Sequence, residues 1–221
     1  MKKQIILFAA LAISTLAMAQ SKISFGIQGG MTSSSMKGDA VKSLQDILDV
    51  TDGMITTKNQ TGFFGGANVS IPISSQFSIE PGILYAQKGY ELQGSLDLKG
   101  VEFLGVNAKA QLKSSYIDVP VLMKGNFNGL QVFAGPQISY LTKADLKTTA
   151  GVLGFNLLNQ TYDVTSEFNR WDAAMTAGVG YQFANGFNVS ASYDHGLSKV
   201  DANKSADSYN RSFKVGVGFK F

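Results

Sequence analysis

The last ten residues, Ser212-Phe-Lys-Val-Gly-Val-Gly-Phe-Lys-Phe221, alternate strictly between large apolar side chains and small or polar ones. Because successive side chains of a β-strand point to opposite faces, this stretch predicts a strand with one apolar face. That face consists of Phe213, Val215, Val217, Phe219 and Phe221. Strands of soluble sandwiches alternate in the same way, so the rest of the chain must decide which fold this strand belongs to.

The first residues have the pattern of a secretory signal peptide. A short basic start, Met1–Gln4, precedes the apolar run Ile5–Ala12 and the small-residue cleavage site Ala17-Met-Ala19. The apolar run is too short for a membrane anchor, because a spanning helix needs about 20 apolar residues. We therefore expect residues 1–19 to be a signal peptide and residues 20–221 to form one exported domain.

The composition excludes several classes of function. The chain has no cysteine, which excludes disulfides, thiolate metal sites and cysteine nucleophiles. The 19 basic residues, less Lys2 and Lys3 of the signal peptide, face 16 acidic residues and leave a net charge of +1. A nearly neutral exported domain offers no electrostatic basis for binding nucleic acid.

Seven further segments alternate like the terminal one, and each is close to the roughly 9–11 residues that a tilted membrane strand needs. They are Ile23–Met31, Gly62–Ile71, Phe77–Glu91, Tyr116–Phe127, Leu130–Leu141, Asp172–Phe183 and Phe187–Leu197. Since no apolar run after residue 20 could span a membrane as a helix, a membrane location would require these eight strands to close into a barrel. The predicted fold is an all-β, eight-stranded antiparallel up-and-down transmembrane barrel.

The connections between the segments alternate in length. The links after the second, fourth and sixth segments are short: Pro72–Gln76, Asn128-Gly129 and Ala184-Asn-Gly186. The links after the first, third, fifth and seventh are long: Thr32–Thr61, Leu92–Ser115, Thr142–Trp171 and Ser198–Arg211. This rhythm is typical of bacterial outer-membrane barrels with short periplasmic turns and long extracellular loops. An even number of strands then predicts that both termini are periplasmic.

Alternation alone leaves open a secreted, lipocalin-like barrel with its apolar face inward. Glycine, serine, asparagine and glutamine dominate the other face and would make a poor hydrophobic core, which favours apolar side chains outward around a narrow polar lumen. Charges in that lumen should pair, because an isolated buried charge carries a large desolvation cost. The expected structural plug consists of Glu80, Lys88, Asp118, Lys124 and Lys214. The alternative role for these charges is an ion path.

Aromatic residues cluster near the ends of the predicted strands, as in the two girdles at the lipid–water boundaries of a membrane barrel. Those beside the short turns are Phe77, Phe127, Phe183, Phe187 and Phe221. Those beside the long loops are Tyr90, Tyr116, Tyr140, Trp171 and Tyr193. We expect all ten to contact the lipid interface.

Several stretches resemble a known family. The terminal strand ending on phenylalanine resembles the strand that outer-membrane barrels present to their insertion machinery. Tyr116-Ile-Asp-Val-Pro-Val-Leu-Met-Lys124 resembles a run in the Bacteroidetes outer-membrane β-barrel family that includes PorT-like proteins. Glu80–Gly89, Ala134–Tyr140 and Tyr193–Ser198 resemble other elements of that family. The resemblance implies a Gram-negative outer-membrane protein surrounded by outer-membrane lipid and lipopolysaccharide, inserted by the barrel insertion machinery, with an extracellular or periplasmic protein partner.

The only histidine, His195, is the one candidate for catalysis. Asp194 precedes it, but neighbouring strand residues point to opposite faces, so the two cannot form a relay. Ser192 and Ser198 are close in sequence, which leaves a lipid A-modifying enzyme as an alternative. No metal-ligand spacing or cofactor motif is present. We expect no enzyme and no cofactor, but a plugged barrel with a structural or surface-interaction role through its long loops. The remaining alternatives are a narrow pore for small solutes or ions and a PorT-like accessory to protein secretion.

Overall fold

The computed structural model describes residues 23–38, 55–96, 106–152, 155–202 and 207–221, so the predicted signal peptide lies outside the described residues. The described part contains nine strands and one 3₁₀ turn, Thr165–Glu167. The strands are β1 (Ser24–Lys37), β2 (Ile55–Pro72), β3 (Phe77–Leu96), β4 (Val106–Phe127), β5 (Leu130–Val152), β6 (Phe155–Asp163), β7 (Trp171–Gln182), β8 (Phe187–Gly196) and β9 (Tyr209–Lys220). Among the described residues, no helix is long and apolar enough to cross a membrane.

Eight of these strands close into an antiparallel barrel, which confirms the predicted fold. Around the barrel, β1, β2, β3, β4 and β5 pair in chain order, β5 then pairs with β7, and β8 and β9 follow, so that β6 is not a barrel strand. The terminal strand closes the barrel, because Met31 on β1 lies opposite Phe63 on β2 and opposite Val215 on β9. Closure gives every barrel strand two hydrogen-bonded neighbours and removes the exposed edges of an open sheet.

The ninth strand belongs to an extension of the sheet beyond the barrel. β3, β4 and β5 are 20 to 23 residues long, and the upper part of β5 pairs with β6 from Asp145 to Val152. The alternation in Gly89–Leu98 and Val101–Lys113 predicts a hairpin projecting beyond the barrel, and β3 and β4 are paired there out to Leu96 and Val106. The prediction of a loop over 142–171 was wrong in part, since it contains paired strand. We call the paired segments 55–58, 91–96, 106–111, 143–152 and 155–163 the projecting sheet.

The two ends of the barrel differ. At one end, the turn end, lie the chain terminus and three tight connections, including Asn128-Gly129 with φ of 54° and 96°. Both residues adopt the left-handed conformation that Asn-Gly hairpins need. The other end, the loop end, carries the projecting sheet, the connection 164–170 and the described residues 197–202 and 207–208 of the β8–β9 connection.

Side chains divide between the two faces of the barrel wall as the period-two pattern predicts. Outward-facing apolar side chains such as Ile27, Met31 and Val217 are each more than half exposed. Inward-facing residues include many buried serines, threonines, glutamines and charged side chains. The barrel is therefore wrapped in an apolar belt and has a polar interior, the reverse of a soluble barrel.

Candidate functional site: the lumen and its cap

Four buried charged side chains form a continuous network in the middle of the lumen. Lys88 Nζ lies 2.9 Å from Asp118 Oδ1, and Lys214 Nζ lies 3.1 Å from Asp118 Oδ2. Lys214 Nζ also lies 2.7 Å from Asp194 Oδ2. All four side chains are at most 5% exposed. The structure thus brings together three of the predicted plug residues and adds Asp194.

The network crosses the barrel and is not confined to neighbouring strands. Asp118 on β4 faces Lys88 on β3, while Lys214 comes from β9, which is four strands away from β4 in either direction around the barrel. Lys88 also donates to Ser139 Oγ at 3.2 Å on β5. The ion pairs therefore join opposite walls of the barrel.

A polar extension links this network towards the loop end. Lys88 Nζ lies 4.6 Å from the centre of the Tyr116 ring, a cation–π contact. Asn210 Nδ2 donates to Asp172 Oδ2 at 2.8 Å and to the Tyr116 hydroxyl at 3.5 Å. Asp172 and Asn210 were not among the predicted site residues. Asp172 lies four residues before Thr176 on the same strand, and the period-two pattern therefore places both side chains on the inward face.

The other two predicted plug residues form a separate pair nearer the turn end. Lys124 Nζ lies 2.5 Å from Glu80 Oε2, and Asn68 donates to the same carboxylate at 3.4 Å. Lys124 Nζ also lies 5.4 Å from the Phe133 ring centre. The five predicted charges therefore form two clusters and not one network.

Two of the ten predicted interface aromatics lie inside the barrel, so the prediction is corrected for them. Tyr116 is 1% exposed and belongs to an interior cluster with Leu141 and Ala144. Tyr90 packs against a second interior cluster that contains Leu112. Both have the inward parity of Lys88 and Asp118, and their position near a strand end does not override that parity. The other eight are exposed: Phe77, Phe127, Tyr140, Trp171, Phe183, Phe187, Tyr193 and Phe221.

An apolar cap, which we define as Val164, Phe168 and Val200, packs at the loop end of the lumen. Val200 belongs to a buried cluster with Met36 of β1 and Leu112 of β4, against which Val164 and Phe168 also pack. Because β1 and β4 lie on different sides of the barrel, this cluster spans the mouth. The sequence-based prediction did not identify the cap, since these residues lie in connections without periodic pattern.

Backbone hydrogen bonds hold the cap in place. Val164 N donates to Ala144 O at 2.9 Å, and Asn169 N donates to Val200 O at 2.8 Å. Thr165 N donates to Asp163 Oδ1 at 2.9 Å, and the Thr165 hydroxyl donates to the same oxygen. The hydrogen bonds from Thr165 hold the pKa of the Asp163 carboxyl below its usual range. The cap is thus fixed to β5, to β6 and to the β8–β9 connection.

Below the charge network, towards the turn end, the lumen contains a polar cavity of about 60 Å³. Its lining includes Gln28, Asn68, Gln131 and Ser190. A water molecule needs about 10–15 Å³ on this measure, so the cavity has room for a few waters and not for a substrate. Within the described part of the chain, no group of three or more histidine or acidic side chains could hold a metal ion.

The structure separates His195 from the acidic residue beside it. Asp194 is 3% exposed inside the lumen, whereas His195 lies on the outer face with its ring 6.2 Å from that of Tyr193. Ser198 Oγ accepts a hydrogen bond from Ala173 N at 2.9 Å. No Asp–His relay exists between these neighbours.

Three solved structures are similar to this chain at TM-scores below 0.5. Ail, the attachment invasion locus protein of Yersinia pestis, is 15% identical over 91% of this chain and 100% of that chain, with a TM-score of 0.46. Neisserial surface protein A is 12% identical with the same coverage and a TM-score of 0.48. OprG from Pseudomonas aeruginosa is 16% identical over 90% of this chain and 95% of that chain, with a TM-score of 0.40.

No curated protein matches the sequence of this chain significantly. The family model for the outer membrane protein beta-barrel domain matches residues 18–202, which is most of the chain. The apolar belt, the polar interior and the closed eight-stranded barrel are the features that such a domain requires. The chain therefore belongs to the outer membrane protein β-barrel domain family and is an integral outer-membrane protein.

Proposed function

We propose that this protein is a closed, non-conducting barrel that anchors an interaction surface, the projecting sheet, at the outer membrane. The observation that carries the proposal is the cap, because apolar side chains from two connections pack on strands from different sides of the barrel. A solute would have to displace this packing before it reached the lumen. The proposal assigns no catalytic residue and no cofactor.

The charge network beneath the cap supports the same conclusion. Asp118 is fully buried and contacts two lysines. Breaking a buried ion pair by removing one partner costs about 3–5 kcal/mol. A permeating ion would have to compete with those contacts at every passage, so the network acts as a plug and not as a conduction path.

Conductance across planar lipid bilayers tests the plug. We expect the purified wild-type protein to produce no steady current steps. The variant Phe168→Ser/Val200→Ser weakens the cap but leaves the lumen charges, so it should also stay closed. The further replacement of Lys214 and Asp118 by serine should introduce measurable current. Steady steps from the wild-type protein would contradict the proposal, provided that Trp171 fluorescence shows the barrel inserted in each preparation.

The projecting sheet supports an interaction role, because anchoring in a membrane does not require it. β3 and β4 remain paired in register from Gln87 and Ser115 out to Leu96 and Val106. Paired strands hold their connecting loops on a rigid support, and binding residues are often carried by loops placed in this way. A version in which residues 90–111 are replaced by a short turn should still fold into a barrel and lose binding to a surface partner. Retention of that binding would contradict this role.

The proposed orientation places the loop end outside the cell and the termini in the periplasm. The absence of cysteine allows a clean test with single-cysteine variants. Thr161→Cys, on exposed β6, should react with a membrane-impermeant maleimide on intact cells. Ser75→Cys, in the exposed β2–β3 turn, should react only after the outer membrane is permeabilised. The reverse pattern would invert the orientation.

A narrow pore is the second candidate, supported by the polar cavity on the turn side of the network. The conductance measurement distinguishes it from the plug. A PorT-like role in secretion has less support than the plug or the pore. The residues Tyr116–Lys124, which carry the resemblance to PorT-like proteins, do not argue for it. Tyr116, Asp118, Pro120 and Lys124 share inward parity on β4, so this motif accounts for the interior of the barrel and not for a surface that a secretion partner could contact.

A further inference from the structure

Three basic or hydrogen-bonding side chains lie together on the outer face of the barrel at the loop end. Arg211 on β9 lies opposite His195 on β8 and opposite Ser35 on β1. Lys37 follows two residues after Ser35, on the same face, and lies opposite Tyr209. Side chains paired or diagonal across antiparallel strands lie about 5–8 Å apart at their Cβ atoms. We call Lys37, His195 and Arg211 the rim patch.

The rim patch borders the apolar belt directly. Phe213, the next outward residue of β9 towards the turn end, is 49% exposed, and Tyr193 of β8 is 43% exposed. The Tyr209 ring lies 5.8 Å from the Arg211 guanidinium. Tyrosine rings beside exposed apolar side chains mark the boundary where a membrane changes from hydrocarbon to headgroups. The rim patch is therefore at headgroup level.

Backbone carbonyls hold the Arg211 guanidinium in position and leave several of its N–H donors available. Nη1 donates to Gly196 O at 2.7 Å and to Asn210 O at 2.8 Å. Arginine has five N–H donors, so the remaining donors can serve a ligand. Within the described ranges no carboxylate pairs with Arg211 or Lys37. By contrast, Lys143 on the projecting sheet lies 2.8 Å from Asp145.

We propose that the rim patch binds the phosphate group of a lipid headgroup, whose acyl chains lie along Phe213 and the rest of the apolar belt. The arginine fork matches the geometry of phosphate oxygens. Lys37 adds a second positive charge, and the His195 ring adds a further hydrogen-bonding group. The combination of cations and an adjoining apolar surface selects an anionic amphiphile over a soluble anion. This site is independent of the plug and of the interaction role of the projecting sheet.

Lipid binding to the full-length protein in a neutral detergent tests the proposal. The probes are phosphatidic acid, which carries a phosphate monoester, and phosphatidylcholine with the same acyl chains, with bound lipid counted by native mass spectrometry. The wild-type protein should bind phosphatidic acid more tightly. Arg211→Gln should weaken that binding about fivefold, the effect of one cation at an anionic lipid surface. Arg211→Lys should retain part of it.

Lys113→Gln is the matched control, because Lys113 is an exposed lysine on the outer face of β4 away from the rim patch. It should leave phosphatidic acid binding unchanged. Equal binding of the two lipids, or equal losses in Arg211→Gln and Lys113→Gln, would overturn the proposal. Inorganic phosphate at millimolar concentration should not displace the lipid, and complete displacement would identify a free-anion site instead. Unchanged Trp171 emission in each variant shows that the barrel remains folded.

Discussion

Asp118 holds the lumen network together, and its replacement by asparagine is the most direct test of the plug. The carboxylate is completely buried and lies 2.9 Å from Lys88 Nζ and 3.1 Å from Lys214 Nζ. Asparagine keeps the shape and one carbonyl oxygen but removes the negative charge. Lys214 would then retain only Asp194 as a partner. Lys88 would retain only the Ser139 hydroxyl and the Tyr116 ring.

We expect Asp118→Asn to lower the free energy of unfolding by about 3–5 kcal/mol, the cost of leaving a buried charge without its partner. Adding Lys88→Met removes the cation that is left without an acidic partner, whereas Lys214 keeps its ion pair with Asp194. The double variant Asp118→Asn/Lys88→Met should therefore be more stable than Asp118→Asn alone by about 0.5–3 kcal/mol, the usual coupling energy for residues in contact. A stabilising second substitution distinguishes an ion pair from simple loss of packing.

The assay is equilibrium urea unfolding of the protein in phospholipid vesicles, followed by the fluorescence of Trp171, the only tryptophan. Lys124→Gln provides a comparison in the separate pair with Glu80, where the lysine is 17% exposed and the expected loss is smaller. A loss below about 1 kcal/mol for Asp118→Asn would refute the reasoning, because that range is typical of an exposed pair. Failure of Lys88→Met to recover stability in the Asp118→Asn background would refute the assignment of the cost to charge.

Three further outcomes are expected. Gly216→Ala should lower the free energy of unfolding by about 1–3 kcal/mol through overpacking, because the added Cβ would lie 2.6 Å from Phe64 Cζ. Gly65→Ala should leave it unchanged in the same urea assay, because the nearest atom to its Cβ would be 3.7 Å away. The lowered pKa of Asp163 means that its support of the cap is fully present above the usual aspartate range near pH 4 and is lost as pH falls below it. The protection of the Thr165 amide, measured as its hydrogen-exchange rate relative to the intrinsic rate at the same pH, should therefore fall there, whereas in Asp163→Asn that protection should not depend on pH. Met31→Cys/Val215→Cys should form a disulfide, because these positions face each other across the closing seam, and failure to oxidise would contradict the closure.

The barrel itself was predictable because the period-two alternation within the strands agrees with the alternation of short and long connections between them. Strand parity assigned Glu80, Lys88, Asp118, Lys124 and Lys214 to the interior, and all five are found there. The same parity places Tyr90 and Tyr116 inside, although both residues lie close to the ends of strands. An aromatic residue near a strand end lies at the lipid boundary only if its parity also points outward.

The β3–β4 part of the projecting sheet follows from alternation in the sequence, whereas the part formed by β5 and β6 was less accessible to prediction. Residues 145–163 contain threonines, glycines and asparagines that weaken the period-two pattern. β6 is recognised by its pairing with β5, where the register shifts between Ala150 and Gly151. A register shift changes which side chains share a face, so a fixed alternation cannot be followed through it.

Local sequence determined the strands, the tight Asn-Gly turn, the outward apolar belt and the polar character of the interior, because each depends on periods of two residues or on the φ preference of single residues. The tertiary structure decided which of the interior charges meet. Asp118 and Lys214 are 96 residues apart, and they touch only because closure sets β4 and β9 across one narrow lumen. The apolar cap and the rim patch arise in the same way, from the register between strands and the return of connections over the mouth, which no pattern within a single segment encodes.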